Sequence, residues 1–574
     1  MAHPLPRRTL LTAPIGLLGA GCAPAHEKRS DRLIVGGRVY TVDPRRPWAE
    51  AVAISGDRIQ AVGSRAELDP LVGPRTEIID AEGGLVLPGF HDVHCHPIEG
   101  LSGQTEDDCL LDFDADARRL VQQVRACAGH GRHGWVTGYG FDITRLHPSE
   151  RAPRDLLDAA VPDRPALLYD QNGHAAWLNS RALTALGIDR DTPEVAGGLI
   201  LRGPGGEPNG LLLDNAMMVY SNELVRSLPS DEYPVLLASQ RKLAEAGITS
   251  VADARVTWRG RHHQLDLWQR AEREGRLAAR TTLGLWAYPE LEDDLQLPAL
   301  TGAFRHRPGG MLSTGEVKIC ADGITSNLTA ALLEPYLIDT PVPGDRGLNY
   351  FDADRLARYV TRLERTGFTV HIHAIGDRGI REALDAVETA RRANGDLGAR
   401  HRITHIEYPH PDDLPRFARL GVVADFQTSA PGIDVPAYRR GDEPVLGPER
   451  TGRLQPIRAL MNNGATVTLS SDFNVGALSP LPNIAASLRI GPHAVPSLGH
   501  AIRAYTLNAA YALRQERFTG SIEPGKLADL VILDRDLFAR PAGEIEQATV
   551  RHTLLGGRHT FGPAGEGHAP RFTG

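Results

Sequence analysis

Short runs of alternating apolar and polar residues mark both ends of the chain. Gly and Asp turns separate them, as in RLIVGGRVYTV and AVAISGDRIQAVG near the amino terminus and TVRHTLLGGRHTF near the carboxyl terminus. This texture is typical of short antiparallel strands. Because the chain between these blocks lacks comparable segments, we predict one small β-sandwich domain built from residues 31–88 and 518–565.

The middle of the chain repeats a different unit, a short apolar run that ends in a polar or titratable residue and is followed by a helical stretch. Eight such runs occur, at residues 89–96, 247–254, 279–288, 315–323, 368–377, 401–408, 421–429 and 466–474. Segments of helical period that end near Gly or Asn lie between them. The pattern predicts an α/β fold, a (β/α)8 TIM barrel over residues 89–517, whose strand carboxyl ends carry the chemistry.

One spacing departs from this repeat. About 150 residues separate His96 from Gly247, whereas a βα crossover takes roughly 30. We therefore predict an insertion after barrel strand 1, at about residues 100–245, that acts as a lid or specificity element. It contains DQNGHAAWLNSRAL, in which His174 follows a Gly turn.

Residues 1–30 have the features of an export leader. The segment PLPRRTLLTAPIGLLGAGC begins with Arg7 and Arg8, continues with a short apolar stretch and ends at Cys22. The paired arginines resemble a twin-arginine signal, and LLGAGC resembles a lipoprotein cleavage box. We expect an exported bacterial protein, periplasmic or anchored to the membrane through a lipid on Cys22. The alternative is an apolar tail on a cytoplasmic protein.

Composition narrows the range of partners. The 574-residue chain has a formal net charge of −8, spread without long runs, which argues against nucleic acid and leaves the lipid anchor as the only expected membrane contact. We expect a small-molecule substrate and, by default, a homodimer. The other four cysteines form no disulfide framework. Cys95 and Cys320 lie in apolar runs typical of buried thiols, and a Cys109–Cys127 bridge stays open.

Histidines end two of the apolar runs in pairs. In HDVHCH, strand alternation places His94 and His96 on one face, close enough to hold one divalent ion. Such a pair is equally compatible with packing in a core or loop. Later strand ends carry His373, His405 and Asp472, and imidazole and carboxylate groups on one rim favour a metal centre.

Lys318 ends a fourth run, VKICADG. An ammonium group cannot ligate a metal, and burying it unpaired is costly. Either Lys318 pairs with Asp322 or Asp472, or it is converted to a carbamate, an anion that can bridge two metals.

The order of HxH, Lys, His, His and Asp on successive barrel strands resembles the metal-dependent amidohydrolase superfamily. Within it, the chain is similar to amidohydrolase family 3, the YtcJ-like branch that includes N-substituted formamide deformylases. The matching motifs run from about residue 32 to about residue 560 and are LPGFHDVHCHP, GHAAWLNSRAL, GITSVADA, VKICADG, HAIGDRG, HRITHIEY, LSSDFN, IRAYTLNAAYAL and SIEPGKLADLVILD.

The resemblance implies a role for each matching residue. His94, His96 and Asp472 would hold the more buried ion and His373 and His405 the more exposed one. The carbamate of Lys318 would bridge the two ions. His373, which directly precedes AIGD, is preferred to His371, which is left to packing.

The resemblance also points to residues on the substrate side. His174 and Gln427 would bind substrate, and an alternative structural role is open for His174. Thr404 stands where this branch commonly has Glu, and Thr428 follows Gln427 where Pro is usual. We place Thr404 and Gln427 at the substrate rim.

The implied activity is hydrolysis of an amide-type C–N bond of a small molecule by a metal-bound hydroxide. Zinc is the favoured metal, with two ions, and Asp472 is the catalytic proton carrier. The same centre could instead serve esters, lactones or a non-hydrolytic reaction. A single ion would suffice if Lys318 stays an ammonium. An exported binding protein with a vestigial site is the less favoured alternative, because such a protein would more often have lost one of the expected ligands.

Overall fold

The structure is a computed structural model, and it describes residues 29–102, 108–129, 134–146, 151–227, 232–259, 264–429 and 435–563. Most of the predicted leader, including Cys22, lies outside these residues. Among the described helices, none combines the length and apolar character needed to cross a bilayer.

Seven short strands and helix α1 (Arg65–Leu68) form the amino-terminal part of a β-domain. The strands are β1 (Arg32–Val35), β2 (Arg38–Tyr40), β3 (Trp48–Ala49), β4 (Ala51–Ser55), β5 (Arg58–Gly63), β6 (Glu77–Asp80) and β7 (Leu85–Pro88). One sheet has the order β5-β4-β1-β6. The prediction of antiparallel strands is wrong for two pairs, because β1 pairs with β6 and β2 with β7 in parallel. Neither pair is joined by a hairpin turn, so sequence adjacency does not impose the antiparallel direction.

The first barrel strand, β8 (Phe90–Cys95), leads into the insertion, which contains a sheet of its own. Its strands are β9 (Cys109–Leu110), β10 (Val136–Phe141), β11 (Ala166–Asp170), β12 (Ala175–Leu178), β13 (Gly198–Arg202) and β14 (Pro208–Asp214), in the order β13-β14-β12-β11-β10-β9. The helices are α2 (Glu99–Ser102), α3 (Ala117–Cys127), α4 (Pro153–Ala160), α5 (Ser180–Ala185), α6 (Asn215–Ser227) and α7 (Tyr233–Glu245).

The insertion has its own hydrophobic core and a disulfide. Leu120, Phe141 and Trp177 are buried in one cluster separate from the barrel core. Cys109 and Cys127, whose Cα atoms are 5.5 Å apart, are bonded and tie β9 to the end of α3. The bridge that the sequence left open is present, whereas Cys95 and Cys320 are buried free thiols, as expected.

The predicted barrel is confirmed. Strand β8 is followed by β15 (Ile248–Val256), β16 (Arg280–Trp286), β17 (Leu312–Cys320), β18 (Thr369–Ala374), β19 (Arg402–His405), β20 (Val423–Phe426) and β21 (Val467–Leu469), all parallel and in sequential order. Just past the end of β21, the Asp472 amide donates a hydrogen bond to the His94 carbonyl of β8 at 2.8 Å, which brings the two ends of the sheet together.

Helices surround this barrel. They are α8 (Gln264–Arg273), α9 (Asp293–Ala303), α10 (Ala353–Thr366), α11 (Asp377–Asn394), α12 (Leu414–Leu420), α13 (Val435–Leu446), α14 (Pro448–Thr451), α15 (Ile457–Asn462), α16 (Pro480–Ser487), α17 (Leu498–Ala504) and α18 (Leu507–Ala512). Helix α10 shows why such segments stop where they do. The Asp352 side chain caps its first turn, and Gly367 ends it with φ of 106°, a conformation that glycine adopts without steric cost.

The last three strands return to the β-domain. Strands β22 (Leu530–Leu533), β23 (Val550–Leu555) and β24 (Arg558–Phe561) complete a second sheet of order β24-β23-β22-β7-β2-β3. Both chain ends therefore build this domain, as the sequence predicted. A buried ion pair, Arg280 Nε to Asp529 Oδ2 at 2.7 Å, links the β-domain to the amino-terminal end of barrel strand β16.

The insertion lies over the end of the barrel where the strand carboxyl ends meet. Asn327, in the loop after β17, donates from Nδ2 to the His174 carbonyl at 3.0 Å. Gln171 donates from Nε2 to the Asn474 carbonyl at 3.4 Å. The insertion is thus placed to cover whatever chemistry these strand ends carry.

Candidate metal centre

The predicted ligands converge at this end of the barrel. His94 projects from β8 and His96 follows the last residue of that strand, and each places Nε2 3.2 Å from Asp472 Oδ1. Asp472 follows β21 in a turn. The closure of the sheet therefore joins one carboxylate to two imidazoles that lie far from it in sequence.

Two further imidazoles complete the cluster. The donor atoms of His94, His405 and Asp472 all lie within 4.8 Å of one another. The His373 ring centroid is 4.5 Å from that of His405, and its Nε2 is 3.3 Å from the Gly323 carbonyl oxygen. Strands β8, β18 and β19 and the turn after β21 thus deliver these groups to one place.

Three residues at the same place have strained backbones. His405, Ile406 and Asp472 have φ of 76°, 48° and 49°, in the left-handed region that non-glycine residues seldom adopt. Each such residue costs on the order of 1–3 kcal/mol, and such residues cluster at functional sites. The strain indicates that the surrounding fold holds these side chains in place for a purpose other than stability.

Burial favours the neutral form of two of these imidazoles, those of His373 and His405. Burial lowers the pKa of His405 to about 3, and burial together with His405 holds the pKa of His373 well below its usual value. Burial would raise the pKa of Asp472, but its contacts with His94 and His96 hold it well below the usual range. Neutral imidazoles with an ionised carboxylate form a donor set that fits a divalent cation such as zinc.

Lys318 lies in β17 beside His371 of β18 and is 3% exposed. Among the described residues, no ion pair joins its ammonium to Asp322 or Asp472, so the structure gives the pairing alternative no direct support. Asp322 instead accepts hydrogen bonds from the backbone amides of Ala331, Ile375 and Gly376. Burial lowers the pKa of the Lys318 amine to about 8, which increases the neutral fraction at physiological pH.

A buried polar network supports His94 from behind. His94 Nδ1 is 2.9 Å from Thr404 Oγ1, and that hydroxyl donates to Asp425 Oδ2 at 2.8 Å. Gln427 Nε2 lies 3.0 Å from Thr404 Oγ1 and 2.9 Å from Asp425 Oδ2. With the Nδ1 hydrogen held by this relay, His94 would present the lone pair of Nε2 to an ion bound between its ring and Asp472.

This network corrects the placement of Thr404. Thr404 is 0% exposed and lies behind His94 rather than at the substrate rim, and Gln427, which is 2% exposed, hydrogen-bonds to the same network. The related branch commonly has a Glu at position 404. In this chain Thr404 hydrogen-bonds to Asp425, and these two residues together place a carboxylate behind His94. Direct contact between Gln427 and substrate stays a prediction.

Replacing Thr404 with Val should weaken metal binding. The change removes the hydroxyl that joins His94 to Asp425 at nearly constant volume, and losing a partner of a ligating histidine typically costs 10–100-fold in metal affinity. Competition with a chromophoric chelator measures this affinity. Thr404→Ser, which keeps the hydroxyl, should bind as tightly as the wild type, and equal affinity of the Val variant would refute the relay.

A second buried cluster lies deeper in the barrel. His371 Nδ1 is 3.0 Å from Glu316 Oε1, and Arg402 Nη2 donates to the same oxygen at 2.8 Å. His94, His371 and Asp425 also bring donor atoms within 4.8 Å. The His94 and His371 Nδ1 atoms and the Asp425 carboxylate already have hydrogen-bond partners, so we assign no ion to this group and treat His371 as part of the support.

The insertion contributes His174 to the site. Its ring centroid is 5.1 Å from that of His373, and its Nδ1 is 2.8 Å from Asp214 Oδ1. Asp214 and Asp425 are functional candidates that the sequence reasoning missed. Asp214 ends the apolar run GLLLD, the same signal that marks the metal-ligand strands, whereas Asp425 lies inside VADF without a comparable signal.

Buried neutral histidines outside the ligand set make stability depend on pH. His401 Nδ1 accepts the Val370 amide hydrogen at 3.0 Å, and burial lowers the pKa of His401 to about 3. In the unfolded chain this pKa is about 6.5. Its contribution to stability is therefore complete above pH 6.5 and is lost progressively as the pH falls toward 3.

We expect this histidine alone to lower the free energy of unfolding by about 2 kcal/mol between pH 7 and pH 5. Urea unfolding of metal-free protein at the two pH values measures the loss. His401→Gln keeps an acceptor for the Val370 amide but does not titrate. Between pH 7 and pH 5, its free energy of unfolding should therefore fall by about 2 kcal/mol less than that of the wild type. His500→Gln, at an exposed position, is the matched control, and equal pH dependence of the wild type and His401→Gln would contradict the assignment.

Comparison with known proteins matches this geometry to a family. The model of the amidohydrolase family matches residues 77–561, which include the barrel, the insertion and five of the ten described β-domain strands. The chain belongs to the amidohydrolase family. The fold and metal centre expected from the motifs are consistent with this membership, and the family resemblance is confirmed.

Known relatives of this amidohydrolase have been given different names. It is 30% identical to "Protein LONG AFTER FAR-RED 3" of Arabidopsis thaliana, over 96% of this chain and 93% of that protein. It is 28% identical to "N-substituted formamide deformylase" of Arthrobacter pascens, over 92% and 97%. A solved structure described as an uncharacterized metal-dependent hydrolase from Pyrococcus horikoshii OT3 is 25% identical, with a TM-score of 0.68 and coverage of 89% of this chain and 99% of that one.

Proposed function

We propose that this metal-dependent amidohydrolase cleaves an amide-type C–N bond of a small molecule. The observation that carries the proposal is the contact of Asp472 Oδ1 with Nε2 of both His94 and His96, each at 3.2 Å. It places an ionised carboxylate, able to move a proton, within the cluster of candidate ligands. The name of the Arthrobacter relative supports a C–N bond as the target.

The chain's residues suit two divalent ions, with zinc favoured by the imidazole-rich set. His94, His96 and Asp472 would hold one ion and His373 and His405 the other. Lys318 would bridge them as a carbamate, formed when its neutral amine attacks carbon dioxide and loses a proton. Bound ions lower the pKa of water and polarise a carbonyl group.

Asp472 is the proposed proton carrier. Its pKa is held well below the usual range, with His94 and His96 as the stabilising contacts, so the carboxylate is free to accept a proton. It takes one from the attacking water and returns it to the departing nitrogen, which leaves as an amine. The Thr404–Asp425 relay keeps His94 oriented while this happens.

An activity panel tests the proposal. Purified enzyme, loaded with zinc in bicarbonate buffer, would be offered N-butylformamide, N-butyl-N-methylformamide, larger N-acyl amines and the matching esters, with product amines and acids quantified by mass spectrometry. We expect turnover of amides, abolished by a chelator and restored by zinc. Hydrolysis of esters alone would refute amide hydrolysis and favour an esterase.

We also propose that the protein is exported. The Cys109–Cys127 bridge supports this, because stable disulfides form mainly in oxidising compartments. Fractionation of cells that express the full chain, combined with mass spectrometry of unreduced peptides, would detect the bridged peptide in the periplasmic or membrane fraction. Recovery of the protein in the cytoplasm with Arg7 and Arg8 retained would contradict export.

A further inference from the structure

His174 and Asp214 form a pair that the insertion supplies to the metal centre. Asp214 Oδ1 lies 2.8 Å from His174 Nδ1 and accepts a second hydrogen bond from the Tyr350 hydroxyl at 3.2 Å. The Asp214 side chain is fully buried, whereas that of His174 remains 13% exposed. Within the pair, the Asp214 carboxylate is therefore closed off from solvent, and the His174 imidazole is the partly accessible group.

The fold holds His174 at several points. The Asp170 carboxylate accepts its amide hydrogen at 2.8 Å. The His174 carbonyl accepts hydrogen bonds from the Asp214 amide at 2.7 Å and from Asn327 Nδ2 at 3.0 Å. A histidine needed only for packing would not require an anchor on each backbone group and another on its ring.

Asp214 also shares the strain seen at the metal centre. Its φ is 54°, in the same left-handed region as His405 and Asp472. Because such conformations persist only where the surroundings impose them, the end of β14 is held so that this carboxylate meets His174. Asp214 therefore belongs with the functional groups of the site.

The pair determines which nitrogen of His174 is available. A carboxylate oxygen accepts hydrogen bonds, so the hydrogen that joins the two groups lies on Nδ1. In that tautomer the other ring nitrogen, Nε2, carries the lone pair. The His373 ring lies next to the His174 ring, with centroids 5.1 Å apart, so this acceptor is beside the place where a substrate would meet the ions.

We propose that His174 Nε2 accepts a hydrogen bond from the N–H of the scissile amide and that Asp214 is the positioning residue that keeps Nε2 in the accepting form. The inference rests on the proposed amide hydrolysis and narrows its substrates to amides that retain an N–H group. An N,N-disubstituted amide would leave the acceptor without its partner, and an unpaired buried polar group is penalised more than a made hydrogen bond is rewarded.

The test compares N-butylformamide with N-butyl-N-methylformamide and uses the ratio of their kcat/KM values. We expect the metal-loaded wild type to favour the N–H substrate by about tenfold or more. The ratio should fall toward one in His174→Ala and in Asp214→Asn, whose amide can donate to Nδ1 and so move the ring hydrogen to Nε2. Both variants should retain the wild-type metal content and thermal unfolding temperature.

Conservative variants separate recognition from structural damage. His174→Gln can offer an amide oxygen near the position of Nε2 and should recover part of the preference. Tyr350→Phe removes only the second contact to Asp214 and should lower the ratio least. The exposed His500→Ala is the matched control and should leave the ratio unchanged.

Three results would overturn the assignment of His174. The first is a ratio of kcat/KM values that is the same in the wild type and in both His174→Ala and Asp214→Asn. The second is loss of an ion from His174→Ala, which would make His174 a ligand. The third is equal turnover of the two formamides by the wild type. The last result would refute this inference but leave amide hydrolysis standing. Turnover of esters and of no amide would refute both.

Discussion

Asp472→Asn should lower kcat by about 10³-fold, because a positioned proton carrier contributes roughly 10²–10⁴ to the rate. The amide retains the size of the carboxylate but cannot accept the proton from the attacking water. His94 and His96 remain in place, so metal content should stay substantial. Steady-state kinetics on the best amide of the panel and elemental analysis of the same sample measure both quantities.

The matched control for this prediction is Asp114→Asn, whose side chain is 85% exposed and lies outside the site. It should match the wild type in both measurements. An Asp472→Asn enzyme with kcat within a few fold of the wild type would remove Asp472 from the mechanism. Complete loss of metal would instead make its ligand role the dominant one.

Lys318→Ala should reduce the bound metal from two ions to about one and lower kcat by at least about 100-fold, because the ligand common to both ions is lost. The buried position of Lys318 and its pKa of about 8 favour the neutral amine that reacts with carbon dioxide. In the wild type, depleting bicarbonate during metal loading should produce the same loss of an ion. Elemental analysis with and without bicarbonate measures it.

A small carboxylate such as acetate should partly restore the second ion and the activity of Lys318→Ala, since it can enter the space left by the side chain. Lys242→Ala, at an exposed position in α7, is the control and should bind both ions whether or not bicarbonate is present. A Lys318→Ala protein that still holds two ions would contradict the carbamate bridge.

The strand ends of the barrel could be predicted from sequence because the signal is local. An apolar run such as that preceding His373 must be buried, and the histidine where it ends is placed at the rim by the parallel arrangement of the strands. The same reasoning located His94, His96, His405 and Asp472. It did not show that Asp472 would contact His94 and His96, because that contact depends on closure of the sheet between its first and last strands.

Other features could not be predicted because they depend on neighbours far away in sequence. The antiparallel expectation failed for β1–β6 and β2–β7, since alternation describes a strand's faces but not its partner. Thr404 hydrogen-bonds to Asp425 of the next strand. The prediction that Thr404 lies at the substrate rim failed because the residue type alone did not reveal that partner. The sheet and disulfide inside the insertion likewise require contacts between distant segments.

The sequence by itself determined the barrel class, the division of the β-domain between the chain ends and the identity of the candidate ligands, because periodicity and residue chemistry are local properties. Only the tertiary structure showed that no ion pair joins Lys318 to Asp322 or Asp472 among the described residues, that Thr404 and Asp425 lie behind His94, and that Asp214 contacts His174. Those properties come from burial and from the hydrogen bonds that folding creates between distant segments. They determine which ring nitrogen of His94 and of His174 is held by the supporting hydrogen bond.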